Sequence, residues 1–200
     1  MTALPRFYPI FDSADWLRRT LPLGLKLVQL RIKDLSGDAL RDEIAEAQAL
    51  CRAQGATLVV NDHWQVALDQ GAPWVHLGQE DLDTADIPAI RRAGIRLGIS
   101  THDHAELDRA LQHSPDYIAL GPVYPTILKK MKWHEQGLDK LTEWKRLIGD
   151  TPPSVAHRRH VGGACAGRVD AGADVVSAVT DITLNADPEA RVREWLEVTG

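Results

Sequence analysis

Short β-branched or apolar runs alternate along the chain with longer stretches in which apolar residues recur at helical spacing, the pattern of βα units around a parallel sheet. Strand-like runs occupy positions 7–11, 25–30, 57–61, 74–77, 96–100, 117–120, 154–156 and 174–179. Helical patterning occupies 13–21, 36–54, 63–70, 87–93, 102–112, 138–148 and 188–198, with a poor stretch near 164–169. Eight strands, each followed by a helix, predict a (β/α)8 TIM barrel of the α/β class, taken as one domain over residues 1–200. An open, doubly wound sheet is the alternative.

The second helical stretch shows how the pattern is read. Leu40, Ile44, Ala47 and Cys51 share one face, with Arg41, Asp42, Glu43 and Glu46 between them. Ser36 is the expected cap at its start, and Gly55 and Gly94 are expected to stop helices in the left-handed conformation. The longest irregular segment runs from 121 to 137.

Composition narrows the function classes. Of 200 residues, 44% are hydrophobic and 26% charged, enough apolar content for one sizeable core. The net charge of −5 disfavours a polyanion-binding surface, so nucleic acid is not an expected partner. No basic leader followed by an apolar stretch is visible, and no apolar run is long enough for a membrane span, which predicts a soluble, cytoplasmic protein. The two cysteines, Cys51 and Cys165, are read as free thiols.

In a barrel of this kind chemistry gathers where strands end. After the second strand, alternation points Gln29, Arg31 and Lys33 to one side. The third strand ends in Asn61-Asp62, and the fourth runs into His76-Leu77-Gly78-Gln79-Glu80-Asp81. Two carboxylates beside a basic cluster suit Mg²⁺, which takes one or two protein carboxylates and fills its octahedron with water and phosphate oxygens. A diphosphate substrate would reconcile the two signs of charge. The bland alternatives are a helix cap for Asp62 and loop polarity for Asp81.

Ser100 in Gly98-Ile99-Ser100-Thr101-His102-Asp103-His104 is read as a phosphate donor, because a catalytic triad cannot be built from consecutive residues. Thr101 or Asp103 would start the next helix, and His102 and His104 are read as solvated. Gly121-Pro122-Val123-Tyr124-Pro125-Thr126 leads to Lys129, Lys130 and Lys132, a loop that could bring a lysine over a phosphate. The glycines at 162, 163 and 167 do not meet dinucleotide-loop spacing.

Taken together, Gln29 to Lys33 as Q-x-R-x-K, Asn61-Asp62, His76 to Asp81 as H-L-G-Q-x-D, Gly98 to Ser100 and Gly121 to Thr126 resemble the thiamine-phosphate synthase family in order and spacing, over about residues 7–182. The resemblance implies condensation of 4-amino-2-methyl-5-hydroxymethylpyrimidine diphosphate with 4-methyl-5-(2-phosphoethyl)thiazole, giving thiamine monophosphate and diphosphate. By position, Gln29, Arg31, Lys33, Asn61, Ser100 and Lys129 would hold the pyrimidine diphosphate. Asp62 and Asp81 would hold Mg²⁺. Thr126 would contact the thiazole phosphate together with a glycine after the seventh strand and the backbone at Val179-Thr180. Arg31, Lys33 and Lys129 would then stabilise the departing diphosphate.

Two departures from the family pattern stand out. The lid reads Thr126-Ile127-Leu128-Lys129 where the family has T-x-T-K, losing one hydroxyl. His157-Arg158-Arg159 replace Ile-Gly-Gly, so Arg159 occupies the position of the phosphate-binding glycine. Residues 157–168 also lack apolar spacing, while familiar patterning returns at Ala171-Gly172-Ala173-Asp174. Two explanations stay open: a compensated reading-frame shift, since an extra C ahead of codons for Ile-Gly-Gly yields His-Arg-Arg, or genuine arginines that bind phosphate by charge.

The first is a fault that would impair the thiazole-phosphate site. A thiazole tautomerase-like isomerase and a noncatalytic phosphate-binding relative are the rival functions. A tautomerase would not need Arg31, Lys33, Asp62 and Asp81. A homodimer is plausible, but no stripe of residues marks its interface.

Overall fold

The computed structural model describes residues 4–121, 137–149, 152–158 and 173–200. Eight parallel strands close into a barrel in sequential order: β1 (Phe7–Phe11), β2 (Leu27–Leu30), β3 (Thr57–Asn61), β4 (Trp74–Leu77), β5 (Arg96–Thr101), β6 (Tyr117–Leu120), β7 (Ser154–Arg158) and β8 (Val175–Ala178). β8 pairs with β1, with Phe7 opposite Val176, and that pairing excludes the open sheet. Around it lie α1 (Ala14–Thr20), α2 (Gly37–Ala53), α3 (Trp64–Gln70), α4 (Ile87–Arg92), α5 (His104–Gln112), α6 (Gly137–Ile148), α7 (Thr180–Thr183) and α8 (Pro188–Thr199).

Strand alternation sorts the core into two layers. Inside the barrel, Tyr8, Leu27, Val59, Trp74, Tyr117, Ala119, Val155 and Val175 pack together. Their sequence neighbours, such as Phe7, Val28, Leu58, Val60, Val75 and Val176, face outward and meet the helices. Leu40, Ile44, Ala47 and Cys51 of α2 are all buried in that outer layer, as their spacing requires.

Several boundaries differ from expectation. Ser36 occupies the N-cap position of α2 in extended conformation but makes no capping hydrogen bond with its side chain. Asp103, not Thr101, caps α5 by accepting the Glu106 N–H at 2.9 Å. Thr101 is buried instead, accepting from Trp144 Nε1 at 3.1 Å. Gly55 and Gly94 do adopt left-handed φ values of 60° and 74°. β7 continues past residue 156 to Arg158, whose backbone stays in register opposite Ala178. α7 has only four residues, too few to carry a periodic signal. The stretch near 164–169, with Cys165, lies outside the described residues.

Candidate active site

The side chains that alternation turns inward change character along the barrel. Toward the amino ends they are apolar; toward the carboxyl ends they are Gln29, Asn61, His76, Ser100 and Ser177. Register places Asn61, His76, Gly98 and Tyr117 in one row across β3 to β6. His76 and Tyr117 belong to strands separated by β5, yet their rings stack at 5.5 Å and 12°. Gly98 makes this contact possible. A Cβ at that position would lie 2.0 Å from Tyr117 Cζ, so only glycine lets the ring cross β5.

Two loops bring charge to the carboxyl end of the barrel. Asp62 directly follows β3 at a φ of 62°, an uncommon conformation for a residue with a side chain. It does not cap α3, which starts after His63. Its carboxylate accepts from Lys33 Nζ at 2.8 Å. His63 Nε2 lies 3.1 Å from the Ile32 carbonyl oxygen, tying this turn to the segment that carries Lys33.

Asp81 comes from the loop after β4, where its Oδ2 accepts the Gly78 N–H at 2.8 Å. That loop is anchored in turn: Gln79 Nε2 donates to the Ser100 carbonyl at 2.8 Å, and Arg109 donates to the Gln79 carbonyl at 3.0 Å.

The Asp62 and Asp81 carboxyls lie near enough for each to act on the other's proton. Burial alone would raise both carboxyls. At Asp62 the hydrogen bond and charge of Lys33, with help from His76 and Asp81, overcome burial and hold the carboxyl below its ordinary range. At Asp81 burial prevails, and the neighbouring Asp62 charge pushes the same way, so its carboxyl is raised despite the Gly78 N–H. Two adjacent carboxylates with a lysine beside them form a donor set that suits a hard divalent cation. Among the described residues no group of three or more His, Cys, Asp or Glu converges. A cation here would therefore complete its shell with water and ligand oxygens, as Mg²⁺ does.

The structure gives the other candidate residues these places. Gln29 is 1% exposed and donates from Nε2 to the Tyr8 hydroxyl at 2.9 Å, deeper in the barrel than strand alternation alone conveys. Arg31 lies just past the end of β2, half-buried, its N–H donating to the Phe11 carbonyl at 2.7 Å. Its guanidinium makes no hydrogen bond or ion pair among the described residues. Lys33 is 51% exposed, and Asn61 is buried in the His76 row.

Ser100 Oγ lies 2.7 Å from His76 Nε2. Val179 precedes α7, and Thr180 begins it, buried. Thr126, Lys129 and Arg159 lie outside the described residues. His102 and His104 are not merely solvated: each pairs with a carboxylate, Glu106 at 2.6 Å and Glu143 at 2.9 Å. Sequence reasoning missed Tyr8 and Tyr117, whose apolar neighbours make them look like ordinary core residues.

The chain is similar to known proteins over nearly its whole length. The family described as thiamine monophosphate synthase matches residues 7–182. A thiamine-phosphate synthase from Rhizobium etli is 54% identical over 200 residues, covering 98% of this chain and 96% of the relative. One from Neisseria meningitidis serogroup A is 46% identical, covering 98% and 97%. A solved thiamine phosphate pyrophosphorylase from Pyrococcus furiosus superposes with a TM-score of 0.82 at 23% identity, covering 98% of this chain and 95% of that one, a likeness of fold.

Proposed function

The chain belongs to the thiamine monophosphate synthase family, and from that premise we propose that residues 1–200 form one domain joining 4-amino-2-methyl-5-hydroxymethylpyrimidine diphosphate to 4-methyl-5-(2-phosphoethyl)thiazole. The products are thiamine monophosphate and diphosphate. The observation that carries the reading is the meeting of Lys33, Asp62 and Asp81 at the mouth of the barrel, with the Arg31 guanidinium, unengaged among the described residues, nearby in the chain.

The chemistry asks for little more than this. Loss of diphosphate from the pyrimidine's methylene carbon leaves a cation conjugated with an electron-rich aminopyrimidine, and the thiazole nitrogen forms the new C–N bond. No protein nucleophile is needed. The main barrier is charge growing on the leaving diphosphate, and preorganised donors address it, each worth about 3–4 kcal/mol. Arg31 and Lys33 would donate to its oxygens, with Lys129 reaching from the 121–137 segment and Ser100 contributing a hydroxyl. Gln29 and Asn61 would orient the pyrimidine diphosphate. Mg²⁺, held by Asp62 and Asp81, would supply further positive charge to the same oxygens. Thr126, Arg159 and the backbone at Val179 and Thr180 would take the phosphate of the thiazole. A cytoplasmic location and a homodimer are consistent with this reading, and among the described residues no helix is long and apolar enough to cross a membrane.

Incubating the protein with both substrates and Mg²⁺ should release thiamine monophosphate and diphosphate in equal amounts, and chelating the metal should stop turnover. Asp81→Asn keeps an acceptor for the Gly78 N–H but removes the charge, so it should lose most Mg²⁺-dependent turnover while retaining its thermal midpoint. Turnover at the parent rate would refute the metal assignment. Tautomerisation of a thiazole phosphate without formation of thiamine monophosphate would replace the transferase by an isomerase.

A further inference from the structure

The polar side chains inside the barrel form a continuous chain whose two ends differ. Gln29 Nε2 donates to the Tyr8 hydroxyl at 2.9 Å, and the Tyr8 and Tyr117 hydroxyls lie 2.8 Å apart. Tyr117 reaches His76 Nδ1 at 2.7 Å, and His76 Nε2 reaches Ser100 Oγ at 2.7 Å. The first four of these residues are buried, so bulk water offers them no alternative partner. Ser100, at the other end, is half-buried at the mouth.

An amide N–H has no acceptor capacity. With the Gln29 amide oriented Nε2 toward Tyr8, the Tyr8 oxygen accepts from Gln29, and the Tyr8 proton needs an acceptor of its own. Among the described residues the Tyr117 oxygen is the one within reach. The Tyr117 proton then goes to His76 Nδ1, which leaves the proton of the neutral imidazole on Nε2, donated to Ser100. In the opposite order Ser100 would donate to Nε2, and Nδ1–H would donate to Tyr117. Tyr117 would then donate to Tyr8, and among the described residues the Tyr8 proton would have no acceptor, which buried hydroxyls avoid.

We infer that Gln29, Tyr8, Tyr117 and His76 are positioning residues that give this chain a single direction, holding His76 as its Nε2–H tautomer and leaving the Ser100 proton as a donor toward a phosphate ligand. Only the identity of that ligand as a diphosphate rests on the functional reading above. Gly98 is part of the device, because without its missing side chain Tyr117 could not reach His76. Among the described residues nothing accepts the Ser100 proton, so it is available to an anion at the mouth.

The test begins with the full-length protein, free of ligand, at a pH where the imidazole is neutral. Long-range ¹H–¹⁵N spectra should show His76 with an unprotonated Nδ1 and a protonated Nε2. A dominant Nδ1–H tautomer overturns the inference whatever the protein catalyses. Gln29→Glu supplies the reversal: a carboxylate at the start of the chain only accepts, so the Tyr8 proton turns toward it and His76 should switch to Nδ1–H. A folded Gln29→Glu protein with an unchanged His76 signature overturns the inference, and if that variant does not fold, the parent spectrum still decides.

Titration with inorganic diphosphate in Mg²⁺ buffer reads the outward end. Ser100→Ala should weaken binding about tenfold or more, the worth of a hydrogen bond to a charged group. Gln29→Glu should weaken it comparably, because it turns the Ser100 proton inward. Undiminished affinity in a tautomer-switched Gln29→Glu protein overturns the role given to Ser100. If the parent shows the Nε2–H tautomer but binds no diphosphate, the functional reading fails and the direction of the chain stands.

Discussion

At the scale of single residues, two backbone features set up the site. Asp62 adopts a φ of 62°, with the next two N–H groups donating back to Asn61 and Asp62 carbonyls at 2.8 Å. For a residue with a side chain this conformation costs about 1–2 kcal/mol. Asp62→Gly and Asp62→Ala both remove the carboxylate and its pairing with Lys33, but only the glycine relieves the backbone. Both should lose turnover, and urea midpoints should show Asp62→Gly more stable than Asp62→Ala by about 1 kcal/mol.

Gly98→Ala places a carbon inside the Tyr117 ring and should cost about 1–3 kcal/mol, with a changed tyrosine signal in near-ultraviolet circular dichroism. An unchanged midpoint would mean that Tyr117 has another place to go. Lys33, Asp62 and Asp81 were legible in the sequence because charged residues at strand ends are conspicuous. The reasons for Gly98 and for the turn at Asp62 were not, because they depend on residues brought alongside by other strands.

At the scale of elements, periodicity located every strand, and the errors fall where local signals compete with tertiary ones. α2 reads correctly because its buried face repeats through Leu40, Ile44, Ala47 and Cys51. Burial also pushes the Cys51 thiol up to about 12, in keeping with a structural, unreactive cysteine. Ser36 has the right residue type for a cap but does not make the bond, and β7 outruns its apolar run because pairing with β8 carries the backbone on to Arg158.

Asp174 shows how such pairing is fastened. Its carboxylate accepts from the Ser154 N–H at 2.8 Å, the Ser154 hydroxyl at 2.9 Å and Lys145 Nζ, joining the start of β7, the segment before β8 and α6. Burial acts to raise its carboxyl, but the Ser154 and Lys145 contacts together hold it below its ordinary value. The folded state then gives up the proton more readily than the unfolded one. The associated stability is present above about pH 4 and is lost as pH falls through the folded value. Urea midpoints measured down through this range should fall more steeply for the parent than for Asp174→Asn, which lacks the titrating group. Parallel curves would assign acid sensitivity to other carboxylates.

For the molecule as a whole, closure depends on the two ends of the described chain. β8 pairs with β1, Phe7 stacks on Trp195 at 5.2 Å, and Arg19 pairs with Glu189 across α1 and α8. Further pairs link α1 to α2 through the Arg18–Glu46 ion pair, α2 to α3 through the Arg41–Asp69 ion pair, and α5 to α6 through the hydrogen bond between His104 and Glu143. These pairs are exposed and worth under about 1 kcal/mol each, so the apolar seam matters more. Trp195→Ala should lower stability by about 3–5 kcal/mol, and added salt should shift the midpoint far less. Hydrogen exchange in β1 and β8 should rise in that variant; protection equal to the parent's would show that the strands close the barrel without α8.

The same seam has a consequence during synthesis. Among the described elements β1 is made before all other strands and β8 after them, so an emerging chain carries two unpaired parallel edges until residues 175–178 have left the ribosome. A translation pause shortly before residue 175 would hold the nascent protein at its stickiest, with seven strands made and nothing yet to complete the ring.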